Sequence, residues 1–213
     1  MSRLIVVGGG GFGRDTLDTV RAINQVKPTW DLLGVVDDHL SEDNRRSLVD
    51  LGVPHLGGLE AVPRAAAVAV AVGAPGVRQS IVARLPRSTP FPSLLHPTAT
   101  LGGAVTHGQG LIALAGVSVG ANARLGKHVH LNAHAVVGHD CRINSYVSIN
   151  PNATISGTCT LAEGVLIGAA ATVLQGLIVG RASTVGAGAC AVRDVEADTV
   201  VVGVPARPLR AKG

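Results

Sequence analysis

The chain has 213 residues, 46% of them hydrophobic, but only 2% aromatic and with 28 glycines. A core for one or two domains must therefore come from Val, Ile, Leu and Ala at close, regular spacing. The formal net charge of +4 suits an anionic small molecule, while the scattered basic residues, with no Lys/Arg run and no interleaved aromatics, exclude nucleic acid as a partner. Three cysteines (Cys141, Cys159 and Cys190) without CxxC spacing exclude a disulfide framework and a zinc site. They indicate a reducing, cytoplasmic setting, and no apolar stretch reaches bilayer length or resembles a signal peptide.

In chain order, Leu4 to Val7 is a short apolar run typical of a strand buried on both faces, followed by the glycine run Gly8 to Gly13. Asp15 to Asn24 reads as a helix, and Leu32 to Val36 as a second strand ending at Asp37-Asp38. A polar segment follows through Asp50, then a third buried strand inside Ala65 to Val72 that ends at Gly73. This alternation predicts a small Rossmann-like parallel α/β domain over residues 1–95, about half of a dinucleotide-binding fold, closed by the Pro-bearing stretch Pro86 to Pro97.

The second half changes period. Every sixth residue from Val119 is aliphatic: Val119, Leu125, Leu131, Val137, Ile143, Ile149, Ile155, Leu161, Ile167, Val173, Val179 and Val185. The residue four later is small or modest, as in Ala123, Ala135, Cys141 and Cys159. Three hexads per coil of roughly 18 residues stack like side chains in columns at the inter-strand spacing of about 4.8 Å, which predicts a parallel β-helix over residues 96–213. Cys141 and Cys159 then fall one coil apart in one inward column, as core filler.

The hexad array, His96-Pro97-Thr98-Ala99, Val137-Gly138-His139-Asp140-Cys141 and the tail Val202-Gly203-Val204-Pro205-Ala206-Arg207-Pro208 together resemble the sialic-acid O-acetyltransferase and bacillosamine N-acetyltransferase family of hexapeptide-repeat sugar acetyltransferases. The resemblance spans nearly the whole chain and includes the N-terminal glycine loop with its Asp pair. It implies a left-handed β-helix assembled as a homotrimer, with active sites between neighbouring subunits and acetyl-coenzyme A as co-substrate.

On that resemblance His139 is the general base that takes the acceptor's proton, Asp140 is the acid that follows it, and Asn132 stands near the acceptor. The oxyanion is left to a backbone N–H of a neighbouring coil. Gly157, Gly186 and Gly188 fall on the coils of the family's coenzyme A groove. Ser148 stands nine residues after His139, where many members carry a second histidine that helps hold the acetyl donor, which leaves the identity of the acyl group open.

The loop Gly8-x-Gly10-Gly11-Phe12-Gly13 between strand and helix, with Asp37 and Asp38 after the next strand, has the form of a dinucleotide fingerprint. Too little sheet precedes the repeats for NAD. By resemblance the loop and Asp pair hold the nucleotide end of a nucleotide-linked sugar, with N–H groups facing phosphate and carboxylates accepting from ribose or base. Gly73 and Arg78 match a family Gly-x-x-x-x-Arg segment, where Arg78 is either a phosphate contact or a solvated helix residue.

Three rival readings stay open. A γ-class carbonic anhydrase uses the same prism with histidine-bound zinc, and His134 and His139, with His107, His128 and His130 nearby, hint at one, although no metal is expected here. A non-catalytic nucleotide-sugar scaffold is the second. The third is O-acetylation of a sialic acid instead of the favoured N-acetylation of a nucleotide-linked 4-amino sugar.

Overall fold

The structure, a computed structural model, describes residues 1–209. Its N-terminal unit runs β1 (Ser2–Val7), α1 (Gly11–Val26), β2 (Trp30–Val36), α2 (Glu42–Asp50), β3 (Ala67–Val70) and α3 (Pro75–Arg84), with the three strands parallel in the order β2-β1-β3. Alternate residues of β1 enter two cores. Leu4 and Val6 pack with Leu17 and Val20 of α1, and Ile5 and Val7 pack with Val68 and Val70 of β3 and with α3.

α1 begins at Gly11, inside the glycine run and earlier than the predicted Asp15, because glycine's poor helix propensity hides the first turn. α2 was not expected from the polar segment. Ser41 caps it, its hydroxyl accepting from the Asn44 N–H at 3.3 Å, and Glu42 and Asp43 sit in the first turn, where acid suits the helix dipole.

The rest is a parallel β-helix with three faces. The first face carries the strands Leu94–Leu95, Ile112–Ala113, His130–Leu131, Ser148–Ile149, Leu166–Ile167 and Thr184–Val185. It ends with Val200–Val202 and the antiparallel Arg207–Pro208. The second face runs from Thr100–Leu101 through Val136–Val137 to Cys190–Ala191, and the third from Thr106–His107 through Arg124–Leu125 and Arg142–Ile143 to Ile178–Val179. Register repeats coil by coil, as in His130 opposite Ser148 and Val136 opposite Thr154.

All twelve predicted aliphatics from Val119 to Val185 are buried, each contributing on the order of 1.5–3 kcal/mol relative to exposure. Cys141 and Cys159 lie in the same core, and burial pushes the Cys141 thiol up to about 11, so both are inert filler. The corners are equally periodic. One residue in six, from Ala104 and Gly110 through Asp140 and Asn152 to Gly188, has a left-handed backbone, which closes each turn between faces.

The N-terminal unit rides on the outer column of the first face, where Leu94 and Ile112 join its core. Farther along that column Phe12 stacks on His130, with centroids 4.5 Å apart, and Arg78 reaches Ser148. The two units therefore share one seam. No helix among the described residues is long and apolar enough to cross a membrane.

Candidate active site

His139 and Asp140 form the corner between the second and third faces. Asp140 occupies the left-handed corner position (φ 60°), which turns its carboxylate back toward the preceding ring. The His139 Nδ1–H donates to Asp140 Oδ2 at 2.7 Å, and the Asn122 amide, one coil earlier, donates to Asp140 Oδ1 at 3.1 Å. These hydrogen bonds, the histidine's being the larger, hold the carboxyl below the usual carboxylate range. A carboxylate only accepts, so the tautomer is fixed with the proton on Nδ1 and the lone pair on Nε2.

Gly157 lies one coil beyond, against that ring. A Cβ there would come within 2.6 Å of His139 Nε2, so a side chain at this position would displace the imidazole. The side chains of His139 and Asp140 are 65% and 47% exposed, so the described residues leave the dyad open.

The other predicted residues divide into those that gather and those that do not. Asn132 sits at the corner between the first and second faces, a face away from His139, and its Oδ1 accepts from the Ala133 N–H at 2.9 Å. Gly186 and Gly188 lie on the Asn132 corner three coils on, whereas Gly157 lies on the His139 corner, so one chain does not bring the three glycines into one groove.

A second concavity lies at the carboxyl ends of the parallel strands, where ligands of open α/β sheets bind. Gly8, with φ at 107°, and Gly13 make the tight turn, since a Cβ on Gly13 would collide with the Gly8 carbonyl. Gly10 and Gly11 face open space, and Gly10 caps α1 with no side-chain hydrogen bond, leaving N–H groups free for an anion. Asp37 Oδ2 accepts from the Gly9 N–H at 2.8 Å and its Oδ1 from the His39 N–H at 2.9 Å, which fixes the loop.

Asp38 accepts from the Leu59 N–H and from Arg84 Nη1, both at 2.7 Å, and these bonds, that to Leu59 first, lower its carboxyl pKa. Both aspartates line a cavity of about 340 Å³ with Gly8, Val72, Ser80 and Arg84. Their carboxylates are engaged within the fold, yet each oxygen keeps a further lone pair.

Two expectations need correction. Arg78 is neither a phosphate contact nor solvated: it is fully buried in the seam. Nε donates to the His128 carbonyl, Nη1 to the Val72 and Gly73 carbonyls and to His130 Nδ1, and Nη2 to the Tyr146 and Val147 carbonyls and Ser148 Oγ. Burial lowers its pKa to about 9, which leaves a cation held by carbonyl dipoles.

Ser148, expected at the acetyl donor, is 2% exposed and donates to the Gly73 carbonyl at 2.7 Å. The first face carries it outward under the N-terminal unit, on a different side of the prism from His139. The histidines of the metal reading are likewise dispersed. His130 stacks on Phe12, His128 packs between Phe91 and Tyr146, and His134 lies across Gly116. Among the described residues no group of three or more His, Cys, Asp or Glu side chains could hold a metal ion.

A solenoid built on a six-residue repeat is the architecture of the hexapeptide transferases. The family model "Bacterial transferase hexapeptide (six repeats)" matches residues 122–157, and "PglD N-terminal domain" matches residues 3–85. The acetyltransferase domain of PglB from Neisseria gonorrhoeae, solved with acetyl coenzyme A, is 31% identical over 97% of this chain and 98% of its own, with a TM-score of 0.85.

A histidine-to-asparagine variant of perosamine N-acetyltransferase from Caulobacter crescentus, solved with CoA and GDP-perosamine, is 26% identical over 99% of this chain and 98% of its own, at TM-score 0.89. WeeI from Acinetobacter baumannii is 28% identical over 98% and 100%, at TM-score 0.85. Comparison with curated protein sequences finds no match. The chain belongs to the bacillosamine-type family of hexapeptide-repeat sugar N-acetyltransferases, and it is an acyltransferase.

Proposed function

We propose that the protein transfers the acetyl group of acetyl-coenzyme A directly to the amino group of a nucleotide-linked amino sugar, a 4-amino sugar in preference, with His139 as general base. The hydrogen-bonded dyad with a free Nε2 carries this reading. The acceptor nitrogen attacks the thioester carbonyl carbon while Nε2 takes its proton, and the Asp140 carboxylate stabilises the imidazolium. Coenzyme A then leaves as the thiol, accepting that proton. Gly157 makes no hydrogen bond through its N–H among the described residues, and beside the imidazole it supplies a donor for the tetrahedral oxyanion.

The nucleotide occupies the cavity at the strand ends, its phosphates on the open side of Gly10 and Gly11. The solved relative with CoA and GDP-perosamine supports both ligand classes. We further infer a cytoplasmic homotrimer in which a neighbour covers the exposed dyad and supplies the face where Asn132, Gly186 and Gly188 act. The test is thiol release from acetyl-coenzyme A across UDP-, dTDP- and GDP-linked 3- and 4-amino sugars and free sialic acid. Turnover on an amino sugar nucleotide bears the reading out, whereas turnover on sialic acid alone replaces it with O-acetylation.

A further inference from the structure

We propose that Arg124 and Arg142 form a phosphate-binding step beside His139 that receives an anionic arm of one of the two substrates. The two residues lie on consecutive rungs of the third face, Arg142 directly opposite Arg124 in register. Their side chains leave the same surface from backbones about 4.8 Å apart. Both are exposed, and among the described residues neither guanidinium makes an ion pair or a side-chain hydrogen bond.

Two like charges stacked on neighbouring rungs repel, and the fold has no need of them, since the rungs before and after carry Thr106 and Thr160 in the same column. The nearby acid is not their partner: Asp140 accepts from His139 with one oxygen and from Asn122 with the other, and among the described residues it makes no ion pair with either arginine. Arg124, Arg142, Thr106, Asn122 and Asp140 line an open cavity of about 500 Å³ on the corner that carries the dyad.

Two planar guanidinium forks with no partner, flanked by a threonine hydroxyl, match the oxygens of a phosphate or diphosphate. Both substrates of the proposed reaction carry such groups: acetyl-coenzyme A its diphosphate and 3′-phosphate, and the nucleotide-linked sugar its diphosphate. The assignment of the anion to a substrate rests on that reading, while the anion site itself does not.

The test pairs the wild type with the Arg124→Gln/Arg142→Gln double variant, using inorganic pyrophosphate as the probe. Calorimetry is expected to show pyrophosphate binding that the variant loses. Kinetics are expected to show a KM raised about tenfold for one substrate and changed less than about twofold for the other. The substrate whose KM moves, and against which pyrophosphate competes in the wild type, is the source of the phosphate.

Thermal stability of the variant stays equal or rises, as relief of like-charge repulsion requires. Unchanged pyrophosphate affinity in a folded variant overturns the proposal, as do two unchanged KM values. A wild type without turnover that still loses pyrophosphate on mutation sinks only the functional reading.

Discussion

Arg78 Nη2 donates to Ser148 Oγ at 3.0 Å, joining the third helix of the α/β unit to the first face of the β-helix. The same serine donates to the Gly73 carbonyl, at the loop that follows β3. The loop beside the cavity at the strand ends is thereby tied to the solenoid that carries His139.

Arg78→Met is expected to destabilise the protein by about 3–5 kcal/mol, since it strips buried carbonyls of their donors while removing the cation they surround. Arg78→Lys recovers only part of this, because an ammonium has three donors and no planar fork. Chemical denaturation checks both.

Ser148→Ala tests whether this serine kept the donor-site role that its position in the family suggests. Its hydroxyl is engaged in the seam, so the KM for acetyl-coenzyme A is expected to stay within about twofold while stability falls by about 1–2 kcal/mol. A large rise in that KM with unchanged stability restores the donor-site role.

Gly157→Ala places a methyl group against the imidazole ring, within 2.6 Å of Nε2. The ring has to turn away from the next coil, so kcat is expected to fall at least about tenfold with little change in the midpoint of unfolding, because the corner lies at the surface. Parallel rate and melting measurements separate the two effects.

Acid sensitivity should originate in the seam. Burial, then the charge of Arg78, lowers His128 from 6.5 to about 4, and His130 also lies well below its ordinary value. The folded state keeps these rings neutral while the unfolded chain protonates them near pH 6.5. Stability is therefore full above pH 6.5 and declines as the pH falls toward 4, by on the order of 3 kcal/mol for His128. Among the described residues His128 Nε2 has no hydrogen-bond partner, so His128→Phe is expected to flatten the decline, as pH-dependent denaturation would show.

Much of this architecture is legible in the sequence because a hexad repeat is a strict code. The aliphatic at each sixth position marks the inward columns, and the coil length follows from three faces. The frame extends back through Ala113, His107, Leu101 and Leu95, where His107 interrupts the run of aliphatics without ending the solenoid, and the expected start at residue 96 falls just after the first rung. The His139–Asp140 pair is readable because its partners are adjacent in sequence. Asn122 was missed, although a step of one coil back from Asp140 finds it.

Arg78 and Ser148 were misread because their partners belong to the other unit, and no local pattern announces a seam between an α/β sheet and a prism face. Arg84, which fixes Asp38 from 46 residues away, was silent for the same reason.

The role of His139 is tested by the rate of acetyl transfer to a nucleotide-linked amino sugar in His139→Ala, with ligand binding measured alongside. A general base at His139 predicts a loss of at least about a hundredfold in kcat, with acetyl-coenzyme A and nucleotide-sugar affinities retained. A variant that binds both ligands and turns over at the wild-type rate would contradict it.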